Sequence, residues 1–148
     1  MTTKLLNEDI TRQVQEVFNQ LQEPVQVLFF GKKSGCDYCD DTLQMITEVA
    51  SLSDKISQNE YDIEDDAEIA RQYKVDKAPG MVIAGRDGDQ ILDYGVRISG
   101  IPSGHEFSSL IHVLILVSGR DSGLSQATRD FLKELDKPVH LQVFVTPT

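Results

Sequence analysis

Apolar positions recur along this chain in two rhythms. Between residues 7 and 22 the spacing is three and four: Ile10, Val14, Val17, Phe18 and Leu21 form one stripe of an amphipathic helix. Asn7 stands where an N-cap belongs, Glu8 and Asp9 suit the positive end of the helix dipole, and Pro24 marks the exit. Residues 25–30 (VQVLFF) then read as a short buried strand, and 31–35 as a polar loop. From Cys36 the pattern is helical again, with Cys39, Leu43, Ile46, Val49 and Ala50 sharing a face. Residues 56–63 (ISQNEYDI) give a second, more polar strand. Asp65 opens a helix in capping-box spacing with Glu68, turns Ile69, Ala70 and Tyr73 inward, and is over by 74–77.

Ala78-Pro79 leads into a third strand at 81–84 (MVIA). Residues 86–89 (RDGD) carry hairpin chemistry, and 90–98 form the returning strand. Ser103 and Glu106 make a second capping-box pair, for a helix reaching about Val117 with Phe107, Leu110, Ile111, Leu114 and Ile115 inside. After a break at 119–123, Ser125 caps a further helix with Phe131, Leu132 and Leu135 inside, stopped by Pro138. Residues 139–145 (VHLQVFV) read as a last strand. Strands separated by helices imply parallel pairs, and the one tight turn implies an antiparallel hairpin. The expected fold is α/β: a three-layer α/β/α sandwich on a mixed sheet, with an extra N-terminal helix and an extra C-terminal helix and strand.

Composition narrows the chemistry. The chain has 148 residues, enough for one core, and a formal net charge of −10. That charge disfavours nucleic acid and anionic membrane surfaces as partners. No stretch approaches the roughly 18 continuous apolar residues of a membrane span, and MTTKLLNEDI lacks the basic-then-apolar pattern of a signal peptide. A cytoplasmic location is expected. The glycines of GRDGDQ are turn glycines rather than a phosphate loop, so no nucleotide cofactor is implied.

The only two cysteines, Cys36 and Cys39, stand together in GKKSGCDYCDD. Two are too few for a disulfide framework or a Cys-only zinc site. His105 and His112, which could complete a metal site, lie far along the chain, so none is expected. At a strand-to-helix junction, helix N–H groups favour the thiolate of Cys36. Cys39, one turn on, can close a disulfide with it. This suits thiol–disulfide exchange, with Cys36 as nucleophile and Cys39 as resolving thiol. Asp37, Asp40 and Asp41 disfavour a nearby thiolate, while Lys32 and Lys33 favour it, so the Cys36 pKa is expected to be lowered only modestly. Pro79, entering a strand, is a candidate cis residue.

CxxC at a strand-to-helix junction, a proline before a strand about forty residues later, and the β-α-β-α-β-β-α order resemble the thioredoxin fold. RISGIPSGHEFSSLIHVLILVSGRDSGLS (97–125) is similar to the protein disulfide oxidoreductases, glutaredoxin-like proteins of two tandem thioredoxin-fold units. KPVHLQVFVTPT (137–148) is similar to the start of their second unit, the chain ending just before a second CxxC. The division implied is 1–123 as the CxxC unit and 124–148 as a linker helix and the first strand of a further unit, the chain being a shortened piece of a longer one.

The resemblance implies Cys36 and Cys39 as the redox pair, Pro79 as the cis-proline, Ala78 as the backbone that pairs with a bound peptide, and Tyr38 as a substrate contact. KAP stands where glutaredoxins carry TVP, and no GG pair follows, so glutathione binding is not carried over. Partners expected are protein disulfides and a flavoprotein reductant of the thioredoxin-reductase kind. Residues 139–145 are expected to pair with a sheet edge, in the same molecule or in a neighbour as a dimer. Two other readings compete: a redox-sensing module that binds peptides, and a docking domain relaying electrons from a flavoprotein, as in the N-terminal part of alkyl hydroperoxide reductase flavoproteins.

Overall fold

Strand β1, Val25–Gly31, is buried at every position and divides the core between its two faces. Val25, Val27 and Phe29 pack on one side with Val14, Phe18, Ile46, Leu110 and Leu114, whereas Leu28 and Phe30 pack on the other with Ala70, Val82 and Ala84. The period-two alternation of a strand buried on both faces produces this split. The computed structural model describes residues 3–146. Met1 and Thr2 of the N-terminal stretch, and Pro147 and Thr148 of the run 137–148, lie outside the described residues. The remaining elements are α1 (Glu8–Phe18), α2 (Cys39–Ala50), β2 (Ile56–Asp62), α3 (Ala67–Gln72), β3 (Gly80–Asp87), β4 (Gln90–Leu92), β5 (Arg97–Ser99), α4 (His105–Ser118) and α5 (Gln126–Lys133). Helices α1, α2 and α4 cover one face of the sheet and α3 the other, giving the expected three layers. Among the described residues no helix is long and apolar enough to cross a membrane.

The strand order is β2-β1-β3-β4, with β5 also paired to β3. Strands β1 and β2 are parallel as expected, but β3 runs antiparallel to β1 although a helix precedes it. The reason lies in length. Strand β2 ends opposite Gly31 and β3 begins opposite Phe30, at the same end of the sheet. Helix α3 is about 9 Å long, too short to return along a strand of about 23 Å. The chain therefore steps sideways across the sheet and comes back in the opposite sense.

Local signals met mixed outcomes. Asn7 caps α1 by accepting the Ile10 N–H, and Ser125 caps α5 by accepting the Thr128 N–H. Helix α1 stops at Phe18, and single turns carry the chain on to Leu21. The capping boxes at Asp65 and Ser103 do not form. Helix α3 starts at Ala67, and the Asp66 carboxylate accepts the Asp62 N–H instead. Helix α4 starts at His105 behind Gly104, whose φ of +59° sets the entry, and Glu106 N–H donates to the Ser103 carbonyl.

The returning strand 90–98 is two strands, broken where Gly95 takes a positive φ and Asp93 accepts its N–H. The end of α4 is locked by Ser118, which accepts the Gln22 N–H and donates to the Glu23 carbonyl. Arg120 adds bonds from its guanidinium to the carbonyls of Val117, Pro24 and Arg86. It lies on Gly85, where a Cβ would come within 2.5 Å of the guanidinium.

The C-terminal expectations are corrected. Phe131, Leu132 and Leu135 are exposed, and α5 buries no residue. Residues 139–145 form no strand and pair with no sheet edge of the same molecule; Leu141, Val143 and Phe144 are largely exposed. Alternation gives a strand only where a partner edge supplies the other half of the ladder.

Candidate disulfide site at the end of the central strand

Strand β1 delivers the chain to the site. Gly31 is its last residue, and a Cβ there would meet the Phe29 ring at 2.9 Å, with the Cys39 Cβ 3.9 Å away. A side chain at Gly31 would therefore have to displace the Phe29 ring of its own strand, whereas its contact with Cys39 would be an ordinary one. The loop beyond turns through Gly35, at φ +71°.

Cys36 and Cys39 form a disulfide with Cα atoms 5.6 Å apart, inside the usual range. The two sulfur residues differ in access: Cys39 is 5 % exposed, Cys36 half-buried. An outside thiol therefore has the freer path to Cys36. Helix α2 begins at Cys39 rather than at Cys36, because Tyr38 takes the cap position and its carbonyl accepts both Thr42 N–H and Thr42 Oγ1–H. Cys36 belongs to the preceding turn. Its sulfur still reaches the helix start, since the S–S bond joins it to the first helical residue, where the free N–H groups favour an anion.

The charges sort themselves. Asp37, Asp40 and Asp41 are exposed around the pair. Lys32 pairs with Glu64 at 2.8 Å and Lys33 with Asp65, and these hydrogen-bonded carboxylates raise both lysine pKa values. The two nearby cations are thus already matched by acidic partners on the turn after β2. This leaves the aspartates at the helix start as the net local charge around the pair.

The second half of the site comes from β3. The Ala78–Pro79 peptide bond is cis. The Pro79 carbonyl accepts the Gly100 N–H at 2.8 Å. Gly80 pairs with Phe30, so Ala78 and Pro79 stand at the same end of the sheet as the cysteines. Ala78 is half-buried, and the Tyr38 ring is 57 % exposed beside Cys39 in sequence. A cleft of about 340 Å³ opens next to the disulfide, with Gly31, Lys33, Cys39, Asp40, Tyr61 and Asp62 in its wall.

Two positions escaped sequence reasoning. Gly80 has no room for a side chain: a Cβ would lie 2.6 Å from the Lys77 carbonyl oxygen. A glycine directly after a proline at a strand start is the signal that could have found it. Asp62 ties the loop before Cys36 to the turn after β2. Its place at the head of an acidic turn, IEDD, is a side-chain-to-backbone turn signal.

No family model matches the chain. Over 144 residues, 97 % of its length, it is 27 % identical to an alkyl hydroperoxide reductase subunit of Staphylococcus epidermidis. The chain spans about a quarter of the length of the curated relatives it matches, 25 % in this case. Among solved structures it is similar to a protein disulfide oxidoreductase from Aeropyrum pernix, with a TM-score of 0.74 and 32 % identity over 87 % of this chain and 55 % of that one. It is also similar to the corresponding alkyl hydroperoxide reductase subunit of Enterococcus faecalis, with a TM-score of 0.77 and 26 % identity over 89 % and 62 % of the two chains. The fold is thioredoxin-like, with a CxxC disulfide, and the resemblance to protein disulfide oxidoreductases read from the sequence is matched by a solved structure.

Proposed function

We propose that this chain is a thiol–disulfide oxidoreductase unit working through Cys36 and Cys39. The observation that carries the reading is the Cys36–Cys39 disulfide at the end of β1, with the outer sulfur accessible and the inner one buried. In the reduced unit the Cys36 thiolate attacks one sulfur of a substrate disulfide. That S–S bond breaks, a mixed disulfide forms, and the departing substrate sulfur takes a proton. The Cys39 thiolate then attacks the Cys36 sulfur, closes the internal disulfide and releases the second substrate thiol. Two electrons pass to the substrate. A substrate strand would lie along Ala78, whose position beside the cis-proline supports main-chain pairing, with Tyr38 as an exposed apolar contact.

Restoring the dithiol requires a two-electron donor. The likeness to alkyl hydroperoxide reductase over nearly the whole chain supports a flavoprotein reductase domain in that role, making the unit a relay. Residues 124–148 then serve as a linker toward a further unit. The test is insulin reduction with dithiothreitol as donor. Cys36→Ser is expected to fall to the uncatalysed background, and Cys39→Ser to accumulate a mixed disulfide that dithiothreitol releases. A Cys36→Ser protein that still reduces insulin overturns the reading.

A further inference from the structure

The loop presenting Cys36 is held by one carboxylate whose two oxygens serve different segments. Asp62 closes β2 opposite Gly31. Its Oδ1 accepts the N–H groups of Glu64 at 2.8 Å and Asp65 at 3.1 Å, which builds the turn after β2. Its Oδ2 accepts the N–H of Lys33 at 2.9 Å, in the loop leading to Cys36. The N–H donors of Glu64 and Asp65 hold the Asp62 carboxyl below the usual carboxylate range against the opposing effect of desolvation, and that of Lys33 adds to them. The turn is braced independently: Asp66 N–H donates to the Asp62 carbonyl, and Asp62 N–H to Asp66 Oδ2, both at 2.8 Å. Asp62 and Lys33 share the cleft wall with Cys39.

We propose that Asp62 is a positioning residue for the redox pair, acting through its bond to the Lys33 N–H. The proposal rests on the thiol–disulfide reading above. Its weight falls on the reduced state. In the disulfide form the S–S bond itself fixes Cys36 against the start of α2. In the dithiol form that link is gone, and the Asp62 tether, flanked by the Lys32–Glu64 and Lys33–Asp65 ion pairs, still restrains the loop. A restrained loop keeps Cys36 within reach of Cys39, lowers the entropy cost of closing the disulfide and so favours the oxidised form.

The experiment is equilibration of the Cys36–Cys39 couple against dithiothreitol, with protein thiols counted. This exchange moves two electrons between the two dithiol–disulfide pairs and needs no protein substrate. Asp62→Asn is the selective probe. Its single oxygen can satisfy the two turn N–H groups, which leaves an NH₂ facing the Lys33 N–H, so only the loop bond is lost. D62N is expected to shift the equilibrium about tenfold toward the dithiol, the cost of freeing about one residue, or about 30 mV in potential. Hydrogen exchange at the Lys33 amide should speed up as well.

Asp62→Ser keeps one short acceptor for the turn and must shift the equilibrium the same way. Asp66→Asn, which leaves the bond from the Lys33 N–H to Asp62 in place, should stay within about twofold. A folded D62N or D62S with the unmodified equilibrium overturns the proposal, as does D66N shifting it equally. Wild-type protein that fails to reduce insulin, alongside a D62N shift as expected, would instead remove the proposed function and leave the positioning role standing.

Discussion

Helices α4 and α5 are both expected from the sequence, yet they belong to the molecule in different ways. Helix α4 buries Leu110, Ile111, Leu114, Val117 and Ser118 against the sheet. Its end is then fastened by Ser118 and Arg120 to the entry of β1. Helix α5 has the better N-cap, with Ser125 accepting the Thr128 N–H, and buries nothing. A cap satisfies orphan N–H groups and decides where a helix starts. It contributes on the order of 1 kcal/mol, whereas burial of an apolar face supplies several times that. Helix α4 is therefore integral to the unit that carries the disulfide, and α5 is an appendage.

The largest effect that can break this contrast is in α4. Leu110 is fully buried, so Leu110→Ala is expected to cost about 2–5 kcal/mol, from lost transfer energy plus the cavity left behind. Urea unfolding measures it. A cost under about 1 kcal/mol would mean that α4 is held no more firmly than α5.

An intermediate effect is expected at Asp93, where β4 gives way to β5. Arg97 grips both Asp93 oxygens, at 2.9 and 2.8 Å, and donates to the Tyr73 carbonyl. The Arg97 hydrogen bond first, against partial burial, holds the Asp93 carboxyl below the usual range. A depressed folded-state pKa contributes stability above the unfolded value, about 3.9, and loses it as pH falls through the folded value. Asp93→Asn should therefore cost about 0.5–1 kcal/mol at pH 7, and the difference from wild type should close as the acid range is entered. Denaturant curves at both ends of that range decide it. A gap that persists unchanged in acid would assign the cost to packing rather than to charge.

Strands β1 and β3 and helices α1, α2 and α4 were legible because their apolar residues are also their buried ones: Val14, Phe18, Val27, Ile46, Ile83 and Leu114 are all in the core. The Cys36–Cys39 disulfide was legible from the spacing of the pair at a strand-to-helix junction, and the cis bond at Pro79 only from the company of that CxxC. What stayed hidden depends on contacts across the chain. The sense of β3 follows from the short reach of α3 between two strand ends at the same end of the sheet. The failed capping box at Asp65 follows from Asp62 and Asp66 bonding each other's backbone. Arg120, a surface type by composition, is half-buried because three carbonyls converge on it above Gly85.

The smallest expected effect lies in the appendage and tests the contrast from its other side. Phe131 and Leu132 look like core residues in sequence but are 63 % and 42 % exposed. If burial rather than pattern confers stability, replacing both with Ser should change the unfolding free energy by no more than about 0.5 kcal/mol. Insulin reduction should be unaltered, because no contact from α5 reaches the disulfide loop among the bonds that fix it. A loss above about 1 kcal/mol in the same urea assay as Leu110→Ala would show α5 packed on the unit in solution. The line between the two helices would then have to move to the far side of Pro138, where Leu141, Val143 and Phe144 stand more exposed still.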